Sequence, residues 1–195
     1  MTPKTAILFL LFALFGSVPA FAQDDAMLSS IFKYNDVVNG DIAADKLYSH
    51  RITLNSESAK VRFWGRMNKY SENVTCYFEL KEGVISLKKI IILADITDRQ
   101  SYTDLLYDAN GNPSLVFYTN NLKNPGASND RYVYSGKKLI YFSTTKNTDL
   151  GAVTDSYDET NFETKQINDA LTMLEKAENY KKAFDALVKV QMAPQ

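Results

Sequence analysis

Three similar segments in the middle of the chain constrain its fold more than any other feature. Each has a run of aromatic and aliphatic residues, a turn that contains glycine, and a second such run; the segments are 76–92, 104–118 and 131–142. Their turn glycines are Gly83, Gly111 and Gly136, spaced 28 and 25 residues apart. Glycine adopts the positive φ of a tight hairpin turn without strain. The pattern therefore predicts three β-hairpins in series, a six-stranded antiparallel meander within a hairpin-repeat segment of about 60–145.

The predicted strands carry apolar side chains on both faces. In the segment 114–119, Leu115 and Phe117 point to one side, whereas Val116 and Tyr118 point to the other. A sheet with one solvated face alternates apolar with polar residues instead. We therefore expect one face to be covered by a helix, and the other to be covered at least in part or to hold a ligand.

A long amphipathic segment follows the β-rich part of the chain. Thr160 and Glu163 fit a capping box at a helix start. Beyond them an apolar stripe recurs every three or four residues, and its members are Ile167, Leu171, Leu174, Ala177, Tyr180, Phe184, Leu187 and Val188. The pattern predicts a C-terminal helix over about 161–190 that packs on the sheet. A coiled-coil dimer through the same stripe is the alternative.

A shorter helix is predicted before the sheet. Apolar residues of 26–38 fall at helical spacing, and Asn39–Gly40 is a typical stop signal. We expect a first strand over 49–54. Together these elements predict the α+β class, an antiparallel β-meander of about six to eight strands flanked by a short N-terminal helix and a long C-terminal helix.

The first 22 residues have the pattern of a secretory signal peptide. Lys4 precedes an apolar run over 5–15, and the small residues Ala20 and Ala22 lie at the recognition positions before a cut. The apolar run has about eleven residues, against the roughly 20 of a membrane-spanning helix. We therefore expect cleavage after Ala22, no stable membrane span afterwards, and an exported protein, periplasmic or extracellular, with a single domain over 23–195.

Composition excludes several classes of function. Of the 195 residues 45% are hydrophobic, and 22 basic against 23 acidic side chains give a net charge of −1. That charge lacks the basic excess typical of nucleic-acid-binding proteins, so we expect no nucleic-acid partner. One His and one Cys exclude a multi-His or multi-Cys metal site within one chain. We expect no cofactor and no metal.

Three short features each have a structural and a functional interpretation. Cys76 lies within a predicted strand, where we favour a buried inert thiol over a reactive or intermolecular one. The segment 108–112 suits a hairpin turn or a calcium loop, but Pro113 and Thr119 stand where an EF-hand needs Gly and Glu, so we favour the turn. His50 has no nucleophile motif beside it, and we expect it to be structural or on the surface.

The aromatic residues are the one functional indication in the sequence. Tyr and Trp combine a flat apolar ring with a polar group, which suits sugar stacking and protein interfaces. One interpretation is therefore a ligand-binding aromatic face formed by Trp64, Tyr118, Tyr132 and Tyr134. The other, which we favour for the aromatic set as a whole, is that the rings form cross-strand pairs that stabilise the sheet.

Two segments carry a repeated hairpin motif with tyrosine and glycine. They are 106–112 (Leu-Tyr-Asp-Ala-Asn-Gly-Asn) and 132–140 (Tyr-Val-Tyr-Ser-Gly-Lys-Lys-Leu-Ile). In this motif the chain resembles uncharacterised exported bacterial proteins with repeated β-hairpin units of the MORN-like or YD-like kind. The resemblance covers about 70 residues, and the chain departs from it in its irregular spacing and long C-terminal helix. It implies an antiparallel meander with a binding or structural role, and it implies no catalytic residues.

The sequence as a whole predicts an exported, non-catalytic binding or interaction domain of the bacterial cell envelope, monomeric rather than dimeric. Its partner is an unidentified ligand or another envelope protein. Two alternatives stay open, a small carboxylate-dependent hydrolase that acts on glycans and an assembly factor that uses its C-terminal helix. Among 23 acidic residues the sequence selects no catalytic pair.

Overall fold

The structure, a computed structural model, describes residues 20–55, 60–63, 66–97, 99–124, 126–148 and 151–191. Most of the predicted signal peptide (1–19) and the predicted site residue Trp64 lie outside these residues. The elements along the chain are α1 (Ala20–Ala43), β1 (Tyr48–Leu54), β2 (Lys60–Phe63), β3 (Arg66–Lys81), β4 (Val84–Ile96), β5 (Arg99–Tyr107), β6 (Pro113–Thr119), β7 (Ser128–Ser135), β8 (Lys138–Thr148), β9 (Gly151–Asp158) and α2 (Thr164–Gln191).

The strands form one antiparallel meander, in the order β1-β3-β4-β5-β6-β7-β8-β9, and β2 pairs with β3. The three predicted hairpins are β3–β4, β5–β6 and β7–β8. Their turn glycines all have a positive φ, between 61° and 78°, which a side chain with a Cβ rarely adopts. The predicted α+β class, with a β-meander between two helices, is confirmed.

Helices cover the two faces of the sheet, as the apolar strands predicted. On one face α2 contributes Ala170, Leu174, Ala177 and Phe184 to a buried cluster with residues of β3 to β8. On the other face a second cluster joins Leu106, Leu115, Val133 and Ile140 of the strands to Met27, Leu28, Ile31, Phe32 and Val38 of α1. Neither helix, nor any other in the described part of the chain, is long and apolar enough to cross a membrane.

Two tyrosine hydroxyls hold α2 against the sheet. Tyr107 donates to the backbone oxygen of Ala177 at 2.8 Å, and Tyr134 donates to that of Ala170 at 2.7 Å. The two alanines are seven residues apart, or about two helical turns, and both are buried. Because their side chains are small, the helix backbone lies close enough to the strands for these bonds to form.

The contact surface of α2 differs in part from the predicted stripe. Ile167 and Leu171 are 43% and 56% exposed, because the line of contact begins at Ala170, which the prediction omitted. It then continues through Leu174 and Ala177, which the prediction included. This line packs on the sheet, so in this structure it is not available for a coiled coil.

The predicted capping box at the start of α2 was placed one turn too early. The Thr160 hydroxyl donates to Asp158 at 2.6 Å and not to the helix. Instead the Glu163 N–H donates to the side-chain oxygen of Gln166 at 2.6 Å. Gln166 is the third residue of α2, and this bond is the backward half of a capping box.

The end of α1 also lies beyond the predicted stop. The helix continues through Gly40 to Ala43, and the Ala44 N–H donates to the Gly40 oxygen at 3.0 Å. Ile42 packs on the second cluster, the one that joins α1 to the sheet, so apolar burial extends the helix past the glycine. The left-handed residue that follows the helix is Asp45, with φ 52°.

Candidate functional site

An apolar groove of about 570 Å³ lies between the β1 edge of the sheet and the C-terminal half of α2. Its floor consists of Ile52 and Leu54 from β1 and Val74 and Cys76 from β3. In the antiparallel register Ile52 lies opposite Val74. Side chains directly opposite each other share a face of the sheet, so this pair forms one continuous apolar surface. We refer to this site as the groove.

The roof of the groove is α2, which contributes Tyr180, Ala183, Phe184, Ala186 and Leu187. Phe184 is 2% exposed and closes the inner wall. Ala183 and Ala186 are exposed and line the groove with methyl groups alone. The groove therefore exists because two alanines stand where larger side chains would fill the space above the edge strand.

A buried carboxylate lies beside the groove. Glu72, on β3 two residues before Val74 and on the same face, is 5% exposed. One carboxylate oxygen accepts a hydrogen bond from the Tyr70 hydroxyl, and the other accepts one from the Tyr180 hydroxyl. Burial raises the pKa of both tyrosines, and the Glu72 carboxylate raises it further. Tyr180 thus both lines the groove and binds Glu72 as a neutral phenol.

Lys176 lies one turn before Tyr180 on α2. Its Nζ donates to the Thr103 hydroxyl at 3.0 Å and lies 5.9 Å from the centre of the Tyr118 ring. Burial lowers the pKa of Lys176, and the nearby Glu72 carboxylate opposes that shift. The helix thus carries a partly desolvated ammonium group on the same side as Glu72.

A second buried polar cluster lies on the α1 face of the sheet. Lys89 is fully buried, and its Nζ donates to Asn35 at 2.8 Å, Asn39 at 2.7 Å and Asp104 at 2.8 Å. Burial raises the pKa of Asp104, which the Lys89 charge opposes. An ammonium group has three donors, and all three are used here. The cluster therefore anchors α1 to the sheet.

The predicted aromatic face is not presented to solvent as one surface. Tyr132 and Tyr134 are 3% and 2% exposed, beneath α2. Tyr118 is half-buried, and Trp64 lies outside the described residues. In this structure Tyr132 and Tyr134 contribute to packing, and a ligand-binding role for the four residues stays a prediction.

The one histidine and the one cysteine of the chain are cross-strand partners, since His50 of β1 lies opposite Cys76 of β3. Cys76 is 2% exposed, and burial raises the pKa of its thiol to about 11. The structure records no hydrogen bond between the two side chains, both of which it describes. The thiol is therefore protonated at neutral pH and poorly nucleophilic, and the prediction of a buried thiol is confirmed.

The oxygen-rich segment 108–112 forms a hairpin turn. The Asp108 carboxylate accepts hydrogen bonds from the backbone N–H groups of Asn110 and Asn112, both at 2.8 Å. The predicted turn is thus confirmed. Within the described ranges, no three His, Cys, Asp or Glu side chains are grouped as metal ligands.

The groove was not predicted from the sequence, although the sequence contains two signals for it. One signal was Glu72, an acidic residue within a long β-rich run, and the other was the exposed pair Ala183 and Ala186 beside an apolar stripe. The comparisons with known proteins add no template, because no family model, no curated protein and no solved structure matches this chain. The candidate site therefore rests on its own geometry.

Proposed function

We propose that the protein is an exported, non-catalytic binding domain of the bacterial cell envelope, and that the groove holds the hydrophobic part of its ligand. The observation that carries this proposal is the groove itself, an apolar cleft of about 570 Å³. Ligand sites in proteins are typically clefts of roughly 300–1,000 Å³ with mostly apolar walls and few polar groups. Burial of a hydrocarbon chain contributes about 0.8 kcal/mol for each methylene.

Two features of the groove support binding over catalysis. The Cys76 thiol on its floor is protonated at neutral pH, since burial raises its pKa to about 11. The Glu72 carboxylate beside it is held by Tyr70 and Tyr180. Neither group is arranged as an activated nucleophile.

The expected export is supported by the sequence pattern of 1–22 and is compatible with the packing of α1. Among the α1 side chains that the structure describes, those that pack on the sheet begin at Met27, beyond the expected cleavage after Ala22. Removal of residues 1–22 would therefore leave these described contacts in place.

The experiment that tests this function is calorimetric titration of the purified protein with alkyl compounds that share one head group and differ in chain length. At about 0.8 kcal/mol per methylene, the affinity should rise about fourfold with each added methylene until the groove is filled. Ala183→Leu, which places a larger side chain in the groove, should weaken binding at least tenfold. Leucine is a good helix former, so α2 should stay intact.

Ala26→Leu is the matched control, because Ala26 is an exposed alanine of α1 on the opposite face of the sheet. It should bind with wild-type affinity. An affinity that does not depend on chain length, or an Ala183→Leu variant that binds like wild type, would contradict the proposal.

A further inference from the structure

The residues at the end of the groove next to Glu72 indicate which polar head group the ligand has. Glu72 precedes Val74 of the floor by two residues of β3, and Tyr180 belongs both to the groove and to the hydrogen bonds of Glu72. Glu72 does not line the groove itself, but it lies opposite Leu54 and is hydrogen-bonded by Tyr180, both of which do. A chain in the groove can therefore place its polar end next to this carboxylate.

The hydrogen bonds of Glu72 come from neutral groups. Its two hydrogen-bond donors in the described part of the chain are the phenols of Tyr70 and Tyr180, whose pKa values are raised, so both stay protonated. Among the side chains that the structure describes, no Lys, Arg or His forms an ion pair with Glu72. Lys176 lies near enough for the Glu72 charge to oppose the lowering of its pKa, but its Nζ donates to Thr103. A carboxylate has about four acceptor positions, so each oxygen can accept a further donor.

The two hydrogen-bond partners described for Glu72 are neutral, and the nearby Lys176 ammonium group donates to Thr103 instead. A ligand that donates a hydrogen bond from a positively charged group is therefore favoured. A carboxylate is costly to bury unless it is paired. An ammonium head group would supply both a hydrogen-bond donor and a compensating charge. A carboxylate or phosphate head group at the same point would be repelled.

We propose, on the basis of the proposed function, that the groove selects amphiphiles whose head group is a protonated amine, and that Glu72 is the residue that recognises it. The ligand class is thus a long-chain amine or an amino lipid. Tyr70 and Tyr180 hold the carboxylate at the end of the groove when no ligand is bound.

The test is competition for the groove among dodecylamine, dodecanol and dodecanoate, each below its micelle-forming concentration, measured by displacement of a fluorescent fatty probe. The wild-type protein should bind the amine at least tenfold more tightly than the acid, with the alcohol between them. A hydrogen bond to a charged group supports a ratio of this size. Glu72→Gln should reduce the ratio to within about threefold, because Gln keeps the shape and an acceptor oxygen but loses the charge.

Two further variants make the outcome specific to Glu72. Asp155→Asn removes an exposed acidic residue of β9 and should leave the ratio unchanged. Tyr180→Phe keeps the ring in the groove and removes one donor to Glu72, so it should raise the preference for the amine. This second variant keeps the test decisive if Glu72→Gln fails to fold.

The outcomes separate this inference from the proposed function. Equal affinities for the amine and the acid, or a preference that survives Glu72→Gln, would overturn recognition by Glu72 while leaving chain binding in place. If none of the three compounds binds, the proposed function fails as well.

Discussion

Replacement of Asp104 by Asn tests whether the buried lysine cluster anchors α1. The fully buried ammonium of Lys89 has three partners within 2.8 Å, and Asp104 is the one charged partner among them. Asp104→Asn keeps an acceptor oxygen near Lys89 but removes the compensating charge. The perturbation therefore isolates the ion pair and leaves the shape of the cluster almost unchanged.

The expected cost of Asp104→Asn follows from burial. Removing one partner of a buried ion pair typically costs about 3–5 kcal/mol, because it leaves an uncompensated charge. The Asp104 side chain is 17% exposed, so solvent reaches it in part and we expect the lower value, about 3 kcal/mol. For a domain of this size the melting temperature should fall by about 6–12 °C.

The assay is urea unfolding followed by circular dichroism, with Lys89→Met and the double variant to complete a cycle. The double variant should cost less than the sum of the two single variants by at least about 1 kcal/mol, because both remove the same pair. Asp155→Asn, at an exposed site, should stay within about 0.5 kcal/mol of wild type. An Asp104→Asn variant as stable as this control, with no coupling to Lys89, would refute the reasoning.

Three further predictions concern α2, the thiol and one turn. Tyr107→Phe and Tyr134→Phe should each cost about 1 kcal/mol in urea unfolding, because each loses one buried hydrogen bond to α2; wild-type stability of both would contradict the hydroxyl contacts. Burial raises the pKa of the Cys76 thiol to about 11. The contribution of this shift to the free energy of unfolding is present in full below the pKa of the unfolded thiol, about 8.5. It should be lost as pH rises towards 11. In alkaline unfolding, Cys76→Ala should lose this part of the pH dependence, and an unchanged profile would exclude the thiol as its source. Gly111→Ala should cost about 1 kcal/mol or more, since Gly111 has φ 77° and an added Cβ would lie 2.8 Å from Lys181 Cε. Gly40→Ala, within α1, should instead be neutral or stabilising by up to about 1 kcal/mol, and equal effects in thermal unfolding would contradict the strain argument.

Local patterns in the sequence were sufficient to predict the meander. A hairpin pairs residues on either side of one turn, so Gly83, Gly111 and Gly136 with their flanking strands specify it directly. The apolar residues on both faces of β6 also predicted that the sheet is covered on both sides. The errors at helix ends arose where tertiary packing outweighed a local signal, as when Ile42 extends α1 past Gly40.

Local sequence patterns could not predict the candidate site, because it depends on residues that are far apart in sequence. Tyr180 reaches Glu72 across 108 positions, and Lys89 reaches Asn35 across 54. The local sequence also could not predict the positions of the tyrosine rings. The pattern around a tyrosine is the same whether its ring lies on a binding face or is packed beneath α2. Only the position of α2 over the sheet distinguishes the two for Tyr132 and Tyr134.

The most direct test of the account is nuclear magnetic resonance of the protein with isotope-labelled alanine methyl groups, titrated with dodecylamine. Ala183 and Ala186 line the groove, whereas Ala170 and Ala177 of the same helix are buried against the sheet. We predict that the methyl signals of Ala183 and Ala186 shift with saturation and show intermolecular contacts to the alkyl chain, while Ala170 and Ala177 change little. Saturating shifts confined to alanines outside the groove, or no saturating shift at any alanine, would contradict it.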